Sequence, residues 1–353
     1  MEIVRNESRK DYDLIRSFHL NAGHSKNSIK TYGTAFSKYS DFHQMSLSEL
    51  LEEAKIEQEN NVPESKLKLY SRILSFRNFL IDNHVGNTIS TTITKIKTFY
   101  HYNRITLPYI PPLNIRKIKK HDSISYEELL TKDEIRKAIS IADDNLAMWI
   151  LVLTSSGSSR CEAKSMTNEM LFKGTQAYHK KDSFKDALEY LSRHDNVVCT
   201  CKLTRKKTDR PYYTFLNPET VQFIAQVKLK EKDFNLNDCL LKFAPDYVGR
   251  KFRFINDYLK LGYAGGYRRF RPHMLRKFNA THLNQGSHNE FLGMDIVDNL
   301  HGRGKGATRE AYFKDNPEVL KVSYIKCMNN VSLYHRYTHE MVDGEVIVYA
   351  EKL

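Results

Sequence analysis

The densest run of chemistry-bearing residues is Arg271-Pro272-His273-Met274-Leu275-Arg276-Lys277-Phe278-Asn279-Ala280-Thr281-His282-Leu283. With Pro272 in the first turn of a helix, His273 and Arg276 stand three apart and share a face. An imidazole beside a guanidinium at a helix start can hold a phosphate diester and handle its proton. The H-x-x-R pair alone is weak, because a chain with 14 His produces one by chance about once. Two further segments strengthen it. Leu151-Val152-Leu153-Thr154-Ser155-Ser156-Gly157-Ser158-Ser159-Arg160-Cys161-Glu162 is an apolar helix that ends in a small-residue turn, then an arginine and an acid. Small residues allow a tight turn that sets Arg160 at the mouth of a pocket, where a nearby carboxylate can orient it. Leu300-His301-Gly302-Arg303-Gly304-Lys305-Gly306-Ala307-Thr308-Arg309-Glu310-Ala311-Tyr312 is a flexible, strongly basic turn followed by a tyrosine.

These residues need a scaffold, and the periodicity of the chain predicts one that is mainly α. Residues 13–106 read as a small helical domain. Ile29, Tyr32, Phe36, Tyr39 and Phe42 recur at helical spacing after Ser28. A second helix is expected after Pro63, with Leu67, Tyr70, Ile73, Leu74, Phe76, Phe79 and Leu80 for a core face, and a third over Ser90 to Tyr102. Residues 107–125 form a linker: Pro108, Pro111 and Pro112 break the helix, and Arg116, Lys117, Lys119 and Lys120 follow, a run suited to a phosphate backbone. A second domain, 126–330, opens with Thr131 and Glu134 spaced as a capping box. Asn145 to Thr154 is apolar enough for a buried helix. Val197 to Leu203 and Pro211 to Phe215 are β-prone and flank a polar, basic tip at Arg205-Lys206-Lys207-Thr208, which predicts a hairpin. Helices are expected over 218–227, 246–260, 272–285 and 318–328. The loop Gly262 to Tyr267 leads into the basic run Arg268-Arg269-Phe270-Arg271. The tail, 331–353, ends in a possible last strand at Glu345 to Tyr349. The expected fold class is therefore α+β, mainly α, with a small antiparallel hairpin or sheet in the second domain.

Composition narrows the function. The 353 residues are 41% hydrophobic, enough for a core and more in keeping with two domains than one. The longest apolar runs, such as Met148 to Leu153, fall far short of the roughly 20 residues of a membrane span. The charged start MEIVRNESRKDYD has no apolar signal region. Five scattered cysteines suit a reducing interior, so a cytoplasmic location is expected. Cys199 and Cys201 read as packing residues on one strand face, and the 14 His form no tight cluster, so no metal site is expected. With 55 Lys+Arg against 42 Asp+Glu, the net charge of +13 favours a polyanionic partner.

The order Arg160, hairpin lysine, H-x-x-R, a further His or Arg, then Tyr312 resembles the tyrosine recombinase (phage integrase) family. The segment His273 to Leu283 is similar to that family's H-x-L-R-H-x-x-A-T-H-L box, and Thr131 to Glu134 resembles the start of its catalytic domain. The Ser28 to Tyr32 stretch resembles its helical core-binding domain, so the likeness covers about residues 20–330. Lys206-Lys207-Thr208 with the Pro211-Tyr212-Tyr213-Thr214-Phe215 strand is most like the integrases of archaeal viruses and plasmids. The resemblance implies a site-specific recombinase that integrates or excises a mobile element through a 3′-phosphotyrosyl intermediate, without a metal or any other cofactor. It implies Tyr312 as nucleophile, Arg160 and Arg276 as phosphate clamps, Lys207 as acid for the leaving 5′ oxygen, and His273 as acceptor of the tyrosine proton. The fifth position is Arg303, nine before Tyr312, or His301, eleven before it. Two departures stand out: the acid at Glu162 follows Arg160 by two rather than three, and Gly157 to Arg160 carries one extra residue. Double-stranded DNA and a homotetramer on synapsed sites are the implied partners, in a nucleoid-associated setting, with the chain from Glu318 onward docking on a neighbouring protomer. DNA contacts are expected from Lys30, Lys202, Arg205, Lys206, Arg268, Arg269, Arg271, Lys277, Lys305 and Arg309 besides the linker cations. The alternatives are a type IB topoisomerase, which relaxes supercoils without a partner site, and a non-catalytic DNA-binding protein of the same fold.

Overall fold

A computed structural model describes residues 9–84, 86–114, 123–233, 235–286, 290–304, 316–342 and 345–352. The chain divides into two units, Met1–Asp122 and Ser123–Leu353.

The first unit is helical. Helices α1 (Arg9–Asn21), α2 (Lys26–His43), α3 (Leu47–Glu59), α4 (Lys68–Asn83) and α5 (Gly86–Tyr102) enclose one core. Polar caps set the starts of two of them. Ser25 Oγ accepts the Ser28 amide before α2, and Ser46 and Glu49 form a reciprocal capping box before α3. The second of these helices was not singled out by periodicity. Phe36 and Tyr39 of α2, Ile73, Phe76 and Leu80 of α4, and Ile93, Ile96 and Phe99 of α5 are buried together. Two expected core residues differ: Ile29 and Phe79 are exposed. Ile73, Phe76 and Leu80 occupy the inner face of α4, so Phe79 falls beside it, where its ring rests 4.9 Å from that of Phe42.

The second unit is built around one helix. Following α6 (Lys132–Ser140), capped by the Thr131–Glu134 box, α7 (Asp144–Ser156) is buried continuously from Leu146 to Ser156. A helix apolar on every side is covered on every side. Its neighbours are α6, α8 (Arg160–Lys164), strand β2 (Arg210–Leu216), α12 (Pro218–Lys228), α13 (Pro245–Tyr258) and α14 (Pro272–Asn284). Strand β1 (Cys199–Arg205) pairs antiparallel with β2, from Cys199 opposite Leu216 to Arg205 opposite Arg210. Cys199 and Cys201 are buried on the inner face of this hairpin, their sulfurs 3.8 Å apart.

Several elements stand outside the expectations from sequence: α9 (Asn168–Gly174), α10 (Gln176–His179), α11 (Phe184–Arg193) and α15 (Met294–Leu300), although Phe184, Ala187, Leu188 and Leu191 of α11 do recur at helical spacing and are buried. The expected loop at 262–267 is a small hairpin of β3 (Tyr263–Ala264) and β4 (Tyr267–Arg268). The chain ends in α16 (Pro317–Cys327) and an antiparallel pair, β5 (His335–Val342) with β6 (Glu345–Lys352), where a single last strand was expected. Much of this segment belongs to the core of its own unit: Leu320, Tyr324, Leu333, Tyr337 and Val348 are buried there. Glu219 fastens it, accepting the amides of Leu333, Tyr334 and His335. No helix among the described residues is long and apolar enough to cross a membrane.

Candidate active site

The end of α7 sets the geometry. Gly157 caps the helix in the left-handed conformation, φ 61°, which favours glycine. Space requires it as well, since a Cβ there would lie 2.2 Å from His301 Nε2 and 2.5 Å from Asn279 Oδ1. Ser159 then caps α8, and its partner in the capping box is Glu162. The extra residue between Gly157 and Arg160 is therefore accommodated as a helix cap, with Arg160 the first helical residue.

Arg276, on α14, is nearly buried. Its Nη1 donates to the Gly157 carbonyl at 2.8 Å and its Nη2 to the His301 carbonyl at 2.8 Å. The Glu162 carboxylate lies 3.6 Å from Nη1. This corrects one expectation. Glu162 serves Arg276, while Arg160 donates through Nη1 to the Pro245 carbonyl at the start of α13, against Gly249. Glu162 also accepts from the Ser159 amide and the Tyr212 hydroxyl, at 2.9 and 3.2 Å. Burial and then the Glu162 charge push the Tyr212 phenol well above its ordinary range, so it stays a neutral donor.

His301 is fully buried, and its tautomer can be read from its neighbours. Asn279 Nδ2 donates to the carbonyls of Thr154 and Ser155, at 2.9 and 2.8 Å, which turns Oδ1 toward His301 Nε2 at 2.8 Å. Nε2 therefore carries the proton and Nδ1 is bare. Nδ1 finds no partner among the described residues. Burial, with the charges of Arg276, Arg303 and Arg205 behind it, holds this imidazole neutral, well below its usual range. His301 thus positions a turn, and its carbonyl does more. Besides Arg276, it accepts from Arg205 Nη1 at 3.1 Å, so two guanidiniums meet at one oxygen. Gly302 completes this turn (φ 64°), with a Cβ excluded by the Tyr212 ring at 2.6 Å.

His273 is exposed at the start of α14. Partial desolvation lowers its pKa from 6.5, and the charges of Lys277, Arg271, Arg276 and Arg303 lower it further. That leaves a neutral imidazole with a free lone pair at neutral pH. Arg303 is exposed, ion-paired with Asp298 at 2.9 Å, and its carbonyl accepts from Arg210 at 2.6 Å. The structure therefore gathers His273, Arg276, His301 and Arg303 with Arg205, whose place here no spacing rule reveals. Arg160 is held on the adjoining helix start. Lys207 sits on the exposed hairpin tip with Lys206, and Lys202 is exposed on β1.

Tyr312, Lys305 and Arg309 lie outside the described residues, as do Arg116, Lys117, Lys119 and Lys120. Two of the downstream tyrosines are locked in place. Tyr324 is buried with its hydroxyl against Ser155, and Tyr337 is buried with its hydroxyl accepting the Glu219 amide. Burial raises both phenols far above their ordinary range. Of the cations expected on DNA, Lys30 is exposed and Lys277 half-buried. The 268–271 run is engaged within the protein. Arg268 pairs with Asp257, Arg269 grips Glu134 through both oxygens and the carbonyls of Glu128 and Leu129, and Arg271 donates to main-chain carbonyls of the β3–β4 hairpin. Among the described residues no group of three or more His, Cys, Asp or Glu could hold a metal ion.

No family model matches the chain, and no curated protein matches it in sequence. Solved structures do. A lambda integrase tetramer bound to a Holliday junction aligns with 87% of this chain and 79% of its own, at 12% identity and a TM-score of 0.54. A lambda integrase (residues 75–356) dimer bound to a COC′ core site aligns with 86% of this chain and 98% of its own, at 12% identity and a TM-score of 0.53. At such low identity the likeness establishes a shared fold and nothing more: mainly α, with small antiparallel hairpins.

Proposed function

We propose that this protein is a tyrosine-type site-specific DNA recombinase. The observation that carries the reading is the convergence of Arg205, Arg276, Arg303 and a neutral His273 at the α7–α8 turn, in a chain whose fold is that of an integrase. Guanidinium forks suit the non-bridging oxygens of a phosphoryl transition state. Partial desolvation, with the charges of Lys277, Arg271, Arg276 and Arg303 behind it, lowers the His273 pKa and favours the unprotonated form a base needs.

In the proposed reaction Tyr312 Oη attacks the scissile phosphorus, and its proton passes to His273. Arg160, Arg276 and Arg303 hold the non-bridging oxygens. Lys207, on the hairpin tip, gives a proton to the leaving 5′ oxygen, so a 3′-phosphotyrosyl bond forms as the P–O bond breaks. The 5′-hydroxyl of a partner strand reverses these transfers. Arg303 rather than His301 fills the fifth position, because the His301 ring is sealed inside and serves through its carbonyl. The substrate is duplex DNA carrying attachment sites, and a homotetramer on synapsed duplexes performs integration or excision of a mobile element, in an archaeal virus or plasmid setting.

A nicked suicide duplex tests this. Wild-type protein is expected to form a covalent adduct, and Tyr312→Phe to form none while binding DNA nearly as well. An adduct that persists in Tyr312→Phe, or none with the wild type on DNA it binds, overturns the assignment.

A further inference from the structure

The outer side of α13 carries Arg250, Phe254 and Tyr258 at four-residue spacing, all exposed. The Phe254 and Tyr258 rings lie 5.9 Å apart with 25° between their planes. Beyond the helix, the β3–β4 hairpin adds Tyr263 and Tyr267, 65% and 55% exposed. Each of these two rings has a guanidinium over it: Arg268 at 5.9 Å from Tyr263 and Arg271 at 5.4 Å from Tyr267.

The hairpin is fixed to the helix. Arg268 Nε donates to both Asp257 oxygens, at 2.7 and 3.0 Å, and Asn256 donates to the Gly262 carbonyl and accepts the Phe270 amide. These interactions hold the tyrosines on the frame of the last turn of α13. The first turn of the same helix holds Arg160 through the Pro245 carbonyl, so one helix carries this hairpin at its end and a group of the candidate site at its start. Arg250 and Lys251 stand over the Tyr247 ring near that end, at 5.7 and 5.4 Å.

Four large exposed rings, two of them with a guanidinium over one face, call for a partner with flat π-faces and negative charge. Paired duplex hides the faces of its bases, whereas unpaired nucleotides present both a face and a phosphate. We infer that the α13–hairpin face binds unpaired bases of a DNA strand, with Tyr263 and Tyr267 stacking on bases and Arg250 and Lys251 taking phosphates. The inference rests on the strand-transfer reading only for the origin of that strand beside the cleaved phosphate; the binding itself does not need cleavage.

The test compares the full-length protein on a fully paired duplex and on the same duplex with a short unpaired bubble carrying 2-aminopurine. The bubble is expected to bind more tightly by about fivefold or more per stacked base, with a change in 2-aminopurine emission on binding. Tyr263→Ala with Tyr267→Ala should bring bubble affinity down to that of the duplex and leave duplex affinity unchanged. Tyr263→Phe with Tyr267→Phe keeps the rings and should keep the preference. No bubble preference in the wild type, a preference that survives the double alanine variant, or one lost in the double phenylalanine variant each overturns the inference. Adduct formation on the nicked duplex is read separately. A preference without an adduct refutes the recombinase reading and leaves this inference standing, and an adduct without a preference does the reverse.

Discussion

Two capping boxes in the second unit each present a glutamate to an arginine of the same sequence neighbourhood, and the outcomes differ. At the start of α6, Glu134 takes Arg269 through both carboxylate oxygens, and two main-chain carbonyls take the remaining contacts. At the start of α8, Glu162 stands 3.6 Å from Arg276, which gives two protons to carbonyls and keeps the rest of its fork outside hydrogen bonds among the described residues. Arg269 makes four hydrogen bonds within the protein and braces the fold. Arg276 is oriented without being filled, which is the state a ligand-binding guanidinium requires. The same residue types in the same local signature thus yield a structural clamp and a candidate catalytic group, and the difference lies in how many donors the fold consumes.

The sharpest way to break this contrast is Arg276→Ala. We expect adduct formation on the nicked duplex to fall by about 10²–10³-fold, the usual cost of one oxyanion donor. Arg269→Ala should show the opposite pattern: a loss of about 3 kcal/mol in denaturant unfolding, from a broken, largely buried pair, with the adduct rate per folded molecule unchanged. An adduct rate that falls equally in both variants would erase the distinction. Arg205→Ala comes next. Removing the second guanidinium at the His301 carbonyl should cost about tenfold in adduct rate and less than about 1 kcal/mol in stability, since that carbonyl keeps Arg276 as a donor. The smallest effect expected is a shift in pH dependence. Desolvation and the charges of Lys277, Arg271, Arg276 and Arg303 lower the His273 pKa, so the acid limb of the rate profile should lie below pH 6.5. Lys277→Gln removes one positive charge and should move that limb upward toward 6.5. An unmoved or downward-shifted limb would show that His273 is not the base.

Much of this frame was legible in the sequence because single elements announce themselves. The apolar run of α7, the Thr131–Glu134 cap, the β1–β2 hairpin and the proline-initiated α14 each follow from local period or cap chemistry. The short helices α9 and α10 and the strand β5 did not, because they are brief or mostly polar: β5 buries only Tyr337 fully, so alternation along it is faint. In the site, residue types were legible and partnerships were not. Nothing local tells that Glu162 serves a guanidinium 114 positions away rather than Arg160 beside it, or that Arg269 and Arg276, seven apart, have opposite fates. Arg205 reads as one more cation of a hairpin, and only the fold brings it to the His301 carbonyl.

That carbonyl has an evolutionary implication. Because the acceptor shared by Arg205 and Arg276 belongs to the main chain, replacing the residue at 301 cannot remove it; a smaller side chain would leave Asn279 Oδ1 without the His301 donor and let the turn drift. Sequence change at this position can therefore detune the alignment of two cations but never abolish the atom that unites them.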